Sequence, residues 1–136
     1  MNFQNRTWAW LKKCFGDEAY VYTKEERCAR VIEEFAELMQ ALDYPADQVL
    51  LGVSKVYARS HSGEVEQEIG GVYVTLAALC ATLNVNGEAL ADLELSRVEG
   101  KIPEIREKNR VRRFVNQINE ANMGWTANEE DASLCW

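Results

Sequence analysis

The chain lacks most of the features that mark secreted, membrane-spanning or nucleic-acid-binding proteins. Its 136 residues include 2 prolines and one histidine, and 15 Lys and Arg stand against 22 Asp and Glu, which gives a net charge of -7. Nucleic-acid-binding surfaces usually carry a basic excess, so this balance disfavours a nucleic-acid partner. No apolar run approaches membrane-spanning length, and the N-terminus has no apolar signal segment. We therefore expect a cytoplasmic protein without a membrane or nucleic-acid partner.

The cysteines and the single histidine also argue against several common kinds of site. Cys14, Cys28, Cys80 and Cys135 are scattered and form no CxxC pair, so neither a zinc knuckle nor a small disulfide scaffold is indicated. The sequence has no Ser-His-Asp or Cys-His set and no glycine-rich phosphate loop of the GxGxxG or Walker type. We expect reduced thiols and a chemistry carried by other side chains.

The chain does contain enough apolar sequence for one helical domain. A length of 136 residues with 47% hydrophobic residues suits a single core. Signals for β-strands are weak, and the best of them, AYVYT at residues 19–23, is isolated. We predict an all-α fold with a single domain over residues 1–110, whose last helix continues to about residue 119. Residues 120–136 are expected to form a flexible acidic tail.

Two long amphipathic helices supply most of the predicted core. Residues 23–42 start with a capping box and repeat apolar residues every three or four positions, and residues 64–83 repeat them over about five turns. Shorter helices are predicted to start at Pro45, at an Asn86 cap and at Pro103. The apolar positions of the long helices form two stripes, Val31, Phe35 and Leu38 in the first and Val65, Ile69 and Val72 in the second.

Acidic side chains flank both apolar stripes. Glu34 and Glu37 are three residues apart, and Glu64 and Glu68 are four apart, so each pair lies on one side of its helix. If the stripes pack together, the acids converge at one edge of the core, where a divalent cation would relieve their repulsion. Oxygen ligands favour Mg²⁺ or Mn²⁺, which can orient water for attack on a phosphoryl group. The alternative is a solvated acidic helix face without a metal.

The two acidic helices resemble those of a known enzyme family. RVIEEFAELMQAL at residues 30–42 and EVEQEIGGVYVTLAALCATLNVN at residues 64–86 resemble the ExxE and ExxD helices of the MazG-like all-α nucleoside triphosphate pyrophosphohydrolases. The resemblance covers residues 8–109 and is strongest to a small phage- and bacteria-associated branch. It implies a helical bundle with two long antiparallel acidic helices, assembled as a homodimer or homotetramer. It also implies Mg²⁺-dependent hydrolysis of a nucleoside triphosphate to the monophosphate and pyrophosphate.

Carried over to this sequence, the family motifs fall on Glu34 and Glu37 in the first helix and begin at Glu68 in the second. These three residues are the implied metal ligands and catalytic residues. The motif aspartate would stand at position 71, which is Gly71 here. Two accounts stay open: either the site has lost a ligand, or another acid completes the metal shell, and the candidates for that role are Glu64, Asp92 and Glu94.

Cationic and aromatic residues outside the acidic helices are further candidates. Four cations after the acidic helices can contact triphosphate oxygens or form ordinary ion pairs with neighbouring acids: Arg97, Lys101, Arg106 and Lys108. Arg97 and Lys101, four residues apart, are the two preferred substrate-binding candidates. Trp8, Trp10 and Phe15 can stack on a base, or they can belong to the core or a subunit contact.

The sequence thus predicts a Mg²⁺-dependent enzyme that hydrolyses ribo- or deoxyribonucleoside triphosphates. Because Gly71 replaces the motif aspartate, the main alternative is a catalytically silent helical oligomer that binds a nucleotide or a protein. A structural bundle with solvated acids is a third possibility.

Overall fold

The computed structural model describes residues 1–121, which form six α-helices, one 3-10 turn and no strand. The predicted all-α class is therefore confirmed. The 3-10 turn Ala19–Tyr22 occupies the segment that carries the best strand signal. The helices are α1 (Phe3–Phe15), α2 (Lys24–Ala41), α3 (Ala46–Tyr57), α4 (Val65–Thr82), α5 (Gly87–Glu99) and α6 (Ile102–Ala121).

The observed helices follow the predicted segments closely, with one addition. Helices α2 to α6 match the five predicted from periodicity and capping, and α6 extends two residues beyond the expected end at 119. Helix α1 is the addition, although its apolar residues recur at helical spacing and the Asn2 side chain caps its start. The predicted acidic tail falls mainly on residues 122–136, which lie outside the described residues.

Residues with a positive backbone φ follow three of the helices. Gly16 follows α1 with φ of 56°, and its N–H donates to Lys12 O at 2.8 Å. Asp43 and Asn84, both with φ of 55°, follow α2 and α4. Asn and Asp tolerate this conformation better than other residues that have a Cβ, because their short polar side chains can hydrogen-bond locally. These three positions account for where the chain leaves the helices.

The described residues form two compact units. The first unit contains residues 1–23 together with the described residues from Ala91 onward, and the second contains Lys24–Leu90. Helix α5 begins in the second unit and ends in the first.

The first unit contains the hydrophobic core. Helix α1 packs against α6, and Arg106 of α6 joins them further: its Nη2 donates to Lys13 O at 2.9 Å, and its Nε donates to Cys14 O. These carbonyls belong to the last turn of α1, where helical partners are missing. The buried apolar side chains are Trp10, Leu11, Cys14, Phe15, Val21, Leu95, Val98 and Ile105.

The second unit has no buried apolar side chain among its residues 24–90. Its α2 packs against α3, and neither α3 nor α4 buries any residue. Val72 is 61% exposed, although α4 is apolar on nearly all sides. Because a helix with this composition is normally buried, the second unit presents apolar faces that the single chain does not cover.

Among residues 1–121, no single helix has the length and apolar composition needed to cross a membrane. Helices α4 and α5 meet those two criteria only as a pair, which is bent by 103° at the break between them.

Candidate functional site

The first acidic pair lies on the exposed surface of α2. Glu34 and Glu37 are both exposed, and the neighbouring stripe residues Val31 and Phe35 are 64% and 46% exposed. The helix is set by its periodic apolar residues and by the acids Glu25 and Glu26 in its first turn, which interact favourably with the helix dipole. The expected position of the acids beside an apolar stripe is therefore observed, but that stripe is uncovered in the single chain.

The second acidic pair marks the start of α4. Glu64 is the N-cap residue, and its side chain makes no capping hydrogen bond. The Glu68 carboxylate lies against the backbone of Gly63, where an added Cβ would overlap with Oε1. Glu64 and Glu68 are exposed, as are the stripe residues Val65 and Ile69 that follow them. This end of α4 thus combines carboxylates with an uncovered apolar face.

Gly70 and Gly71 are not required by the geometry of the single chain. Both have ordinary helical backbones, and a Cβ built at either position meets no atom within 4 Å. Glycine costs about 1 kcal/mol relative to alanine inside a helix, so a local backbone requirement does not explain the pair. The space beside Gly71 would also accept the longer aspartate side chain of the family motif.

The described carboxylates do not form a metal site within one chain. In residues 1–121, no three His, Cys, Asp or Glu side chains are close enough together to hold a metal ion. Glu34 and Glu37 are neighbours on α2, and Glu64 and Glu68 are neighbours on α4, but the structure does not bring the two pairs together. The stripes on α2 and α4 are exposed rather than packed as a joint core.

Two of the acids considered as substitutes for the missing aspartate already have cationic partners. Asp92 Oδ1 accepts a hydrogen bond from Arg6 Nη1 at 2.7 Å. Glu94 accepts two hydrogen bonds from Arg97, at 2.8 and 2.5 Å, and these bonds hold the pKa of its carboxyl below the ordinary value. Glu64 makes no comparable contact with a described residue, so it is the best placed of the three candidates to complete a metal shell.

The two candidate phosphate-binding cations differ in their surroundings. Arg97 is held by the bidentate pair with Glu94 on α5, the ordinary ion pair that the sequence left open as an alternative. Lys101 is exposed in the short connection between α5 and α6. A triphosphate would have to compete with Glu94 for Arg97 but not for Lys101.

The N-terminal aromatic residues separate into core and surface. Trp10 and Phe15 are buried in the core of the first unit, whereas Trp8 is 51% exposed. The Trp8 ring meets Tyr22 edge to face at 5.4 Å between centroids, and Lys12 Nζ lies 3.8 Å from the Tyr22 ring centroid. Only Trp8 of the three candidates is therefore accessible to a base.

The sequence interpretation missed a buried charge network at the start of α2. Glu26 and Arg30 are buried, and Arg30 Nε lies 3.3 Å from Glu26 Oε1. Arg30 also makes a bidentate pair with Glu33, including one bond of 2.6 Å from Nη2. The spacing of four and then three residues is a recognisable signal for such a network. The network fixes the turn that leads directly into Glu34.

Comparison of the chain with protein-family models, with curated proteins and with solved structures finds no match. A functional interpretation therefore rests on the residues and their geometry.

Proposed function

We propose that this chain is a MazG-like nucleoside triphosphate pyrophosphohydrolase that acts as a cytoplasmic homodimer or homotetramer. The reaction adds water across the bond between the α- and β-phosphates of a ribo- or deoxyribonucleoside triphosphate. The products are the nucleoside monophosphate and pyrophosphate.

One observation carries this proposal: both acidic pairs border apolar faces that the single chain leaves exposed. Phe35 on α2 and Ile69 on α4 are 46% and 54% exposed, and acids stand beside each of them. Burial of such a side chain contributes about 1.5–3 kcal/mol, so burial of several of them between copies would offset the freedom lost on association. It would move Glu34, Glu37 and Glu68 from open solvent to the edge of a packed interface.

The carboxylates suit Mg²⁺ or Mn²⁺ by their oxygen donors, but those of one chain do not fit a metal by themselves. A second copy has to bring its own acids to complete the ligand set of Glu34, Glu37, Glu68 and Glu64. When bound, the ion would neutralise the carboxylates and the polyphosphate charge.

The test is pyrophosphate release from a panel of ribo- and deoxyribonucleoside triphosphates with Mg²⁺, with Mn²⁺ and with a chelator. We expect metal-dependent turnover that Glu34→Gln abolishes. Glu66→Gln is the matched control, because Glu66 lies in the first turn of α4 outside the motif positions, and it should retain turnover. A folded oligomer that releases no pyrophosphate from any nucleotide would contradict the proposal.

A catalytically silent oligomer that binds a nucleotide or a protein is the second candidate, and Gly71 is the observation that favours it. Gly71→Asp distinguishes the two, because open space beside Gly71 lets the new side chain fit without a clash in the single chain. Turnover gained only in the Gly71→Asp variant would establish that the native site is impaired. Turnover present in the native protein and lost in the variant would indicate that the glycine leaves room for substrate.

A further inference from the structure

The first unit contains a pocket lined by three arginines, although the chain as a whole has a net charge of -7. The pocket has a volume of about 270 Å³. Arg106, Arg110 and Arg113 line it from α6, and their spacing of four and three residues places them on one side of the helix. Among the described residues, Glu18 is the only carboxylate in the lining. The lining therefore has an excess of positive charge.

Two of these arginines, Arg106 and Arg110, each donate hydrogen bonds within the chain from Nε and Nη2. Arg106 donates from Nε and Nη2 to the end of α1. Arg110 donates from Nε and Nη2 to Glu107, at 3.0 and 2.7 Å. In both cases Nη1 makes no hydrogen bond to another described residue. Arg106 is thus fixed against the last turn of α1, Arg110 is oriented by an exposed ion pair, and each keeps one NH₂ group as a donor for a ligand.

The third arginine is positioned by an aromatic ring. The Arg113 guanidinium carbon lies 4.4 Å from the centroid of Tyr20, and Nη1 lies 3.8 Å from Glu18 Oε2. A pair at this distance and exposure contributes little to stability, so a stronger anion can displace Glu18. Stacking on Tyr20 keeps the guanidinium in position when that happens.

Neutral groups complete the lining. Asn109 is buried, and its Oδ1 accepts a hydrogen bond from Arg112 Nη2 at 2.6 Å, which leaves the amide NH₂ as the donor end of that side chain. Gln117 adds a second amide, and the Phe114 ring, 61% exposed, adds an apolar surface. The volume is slightly below the range of about 300–1,000 Å³ that is usual for drug-sized ligands. It suits a ligand at the small end of that range, such as a mononucleotide.

We propose that this pocket binds the phosphate dianion of a nucleoside monophosphate and that Phe114 packs against its base. The remaining NH₂ groups of Arg106 and Arg110 can donate charge-assisted hydrogen bonds to a phosphate, which offers three acceptor oxygens. A nucleoside monophosphate and free inorganic phosphate share this chemistry, and the base distinguishes them. The proposal uses none of the acids assigned to hydrolysis and stands independently of the proposed function.

The test is calorimetric titration of the full chain with inorganic phosphate and with adenosine monophosphate, in buffer containing a chelator. We expect saturable binding of both, with the nucleotide bound more tightly. The double variant Arg110→Gln, Arg113→Gln should weaken both by roughly tenfold or more, since charge-assisted bonds are lost. The matched control Lys55→Gln, Arg59→Gln removes the same charge from exposed positions outside the pocket and should bind normally.

Phe114→Ala tests the ring contact separately. It should weaken binding of the nucleotide and leave binding of inorganic phosphate unchanged. Circular dichroism of each variant verifies the fold, and Arg106 is not replaced because it holds the end of α1.

Absence of saturable binding, or equal weakening by the control pair, would overturn the proposal. An unchanged nucleotide affinity in Phe114→Ala would overturn the ring contact alone. The variant Glu34→Gln should bind as the native chain does, which separates this site from hydrolysis.

Discussion

At the scale of the residue, the buried Cys14 thiol is the most protected of the described cysteines. Cys14 is 0% exposed within the core of the first unit, whereas Cys28 is exposed on α2. Burial raises the pKa of the Cys14 thiol, and Glu18 adds to that effect while Arg106 opposes it. Fewer Cys14 side chains are therefore thiolate at mildly alkaline pH, and the thiolate is the reactive form.

We predict that iodoacetamide at pH 8 modifies Cys28 well before Cys14. Peptide mapping by mass spectrometry follows each cysteine separately, and labelling in urea provides the control in which the difference disappears. Equal rates for the two in the native protein would mean that the first unit opens on the timescale of the reaction.

Replacement of glycine by alanine should have opposite effects on stability at positions 16 and 71. Gly16→Ala should destabilise the protein by about 1–2 kcal/mol, because position 16 has φ of 56°, which disfavours residues with a Cβ. Gly71→Ala should stabilise α4 by up to about 1 kcal/mol, because position 71 is helical with open space beside it. Urea unfolding measures both. Destabilisation by Gly71→Ala would instead indicate close approach of a second copy at this position.

At the scale of the element, a side-chain cap fixes the start of α5. Asn86 Oδ1 accepts a hydrogen bond from the backbone N–H of Ala89 at 3.0 Å. Asn86→Ala should reduce the free energy of unfolding by about 1 kcal/mol, and Asn86→Asp, which can still accept that bond, should retain most of it. Thermal unfolding of the three proteins tests this. Identical midpoints for all three would show that the cap contributes nothing to the transition.

Sequence alone could predict elements of this kind, because their signals are local. The Asn86 cap and the apolar period of α4 are each contained within a few turns, and both appear in the structure as expected. Helix α1 also has local signals, an Asn2 cap and apolar residues at helical spacing, which the sequence interpretation did not use. Only the burial of Trp10 and Phe15 against residues more than seventy positions away is beyond local patterns. Likewise, no local pattern indicates that Arg106 reaches the carbonyls of Lys13 and Cys14.

The sequence could predict which acids lie beside the apolar stripes, but not how the stripes pack and bring the acids together. The positions of Glu34 and Glu68 beside apolar stripes follow from helical periodicity. Whether those stripes meet each other or a second copy depends on packing between distant segments. Within the described chain the two stripes are exposed rather than packed together, so the ligand set stays a prediction.

At the scale of the whole molecule, the exposed apolar faces of the second unit predict association. Val72→Lys, on the α4 stripe, should dissociate the oligomer or weaken it by at least roughly tenfold, because a lysine placed in an apolar interface loses its hydration. Leu93→Lys is the control, since Leu93 is 67% exposed against 61% for Val72 but lies in the first unit. Sedimentation at several concentrations distinguishes the variants. A native chain that sediments as a monomer would contradict both the association and the proposed site.

The contact between α1 and α6 also has a consequence for synthesis of the protein on the ribosome. Residues 1–23 emerge first, yet their core partners Leu95, Val98 and Ile105 are translated later, after the whole second unit. At about 5–20 residues per second, the apolar face of α1 waits roughly 4–16 seconds for these partners. During that interval the nascent chain presents Trp10 and Phe15 to chaperones. A pause in translation before residue 105 would lengthen this exposure and favour aggregation over folding.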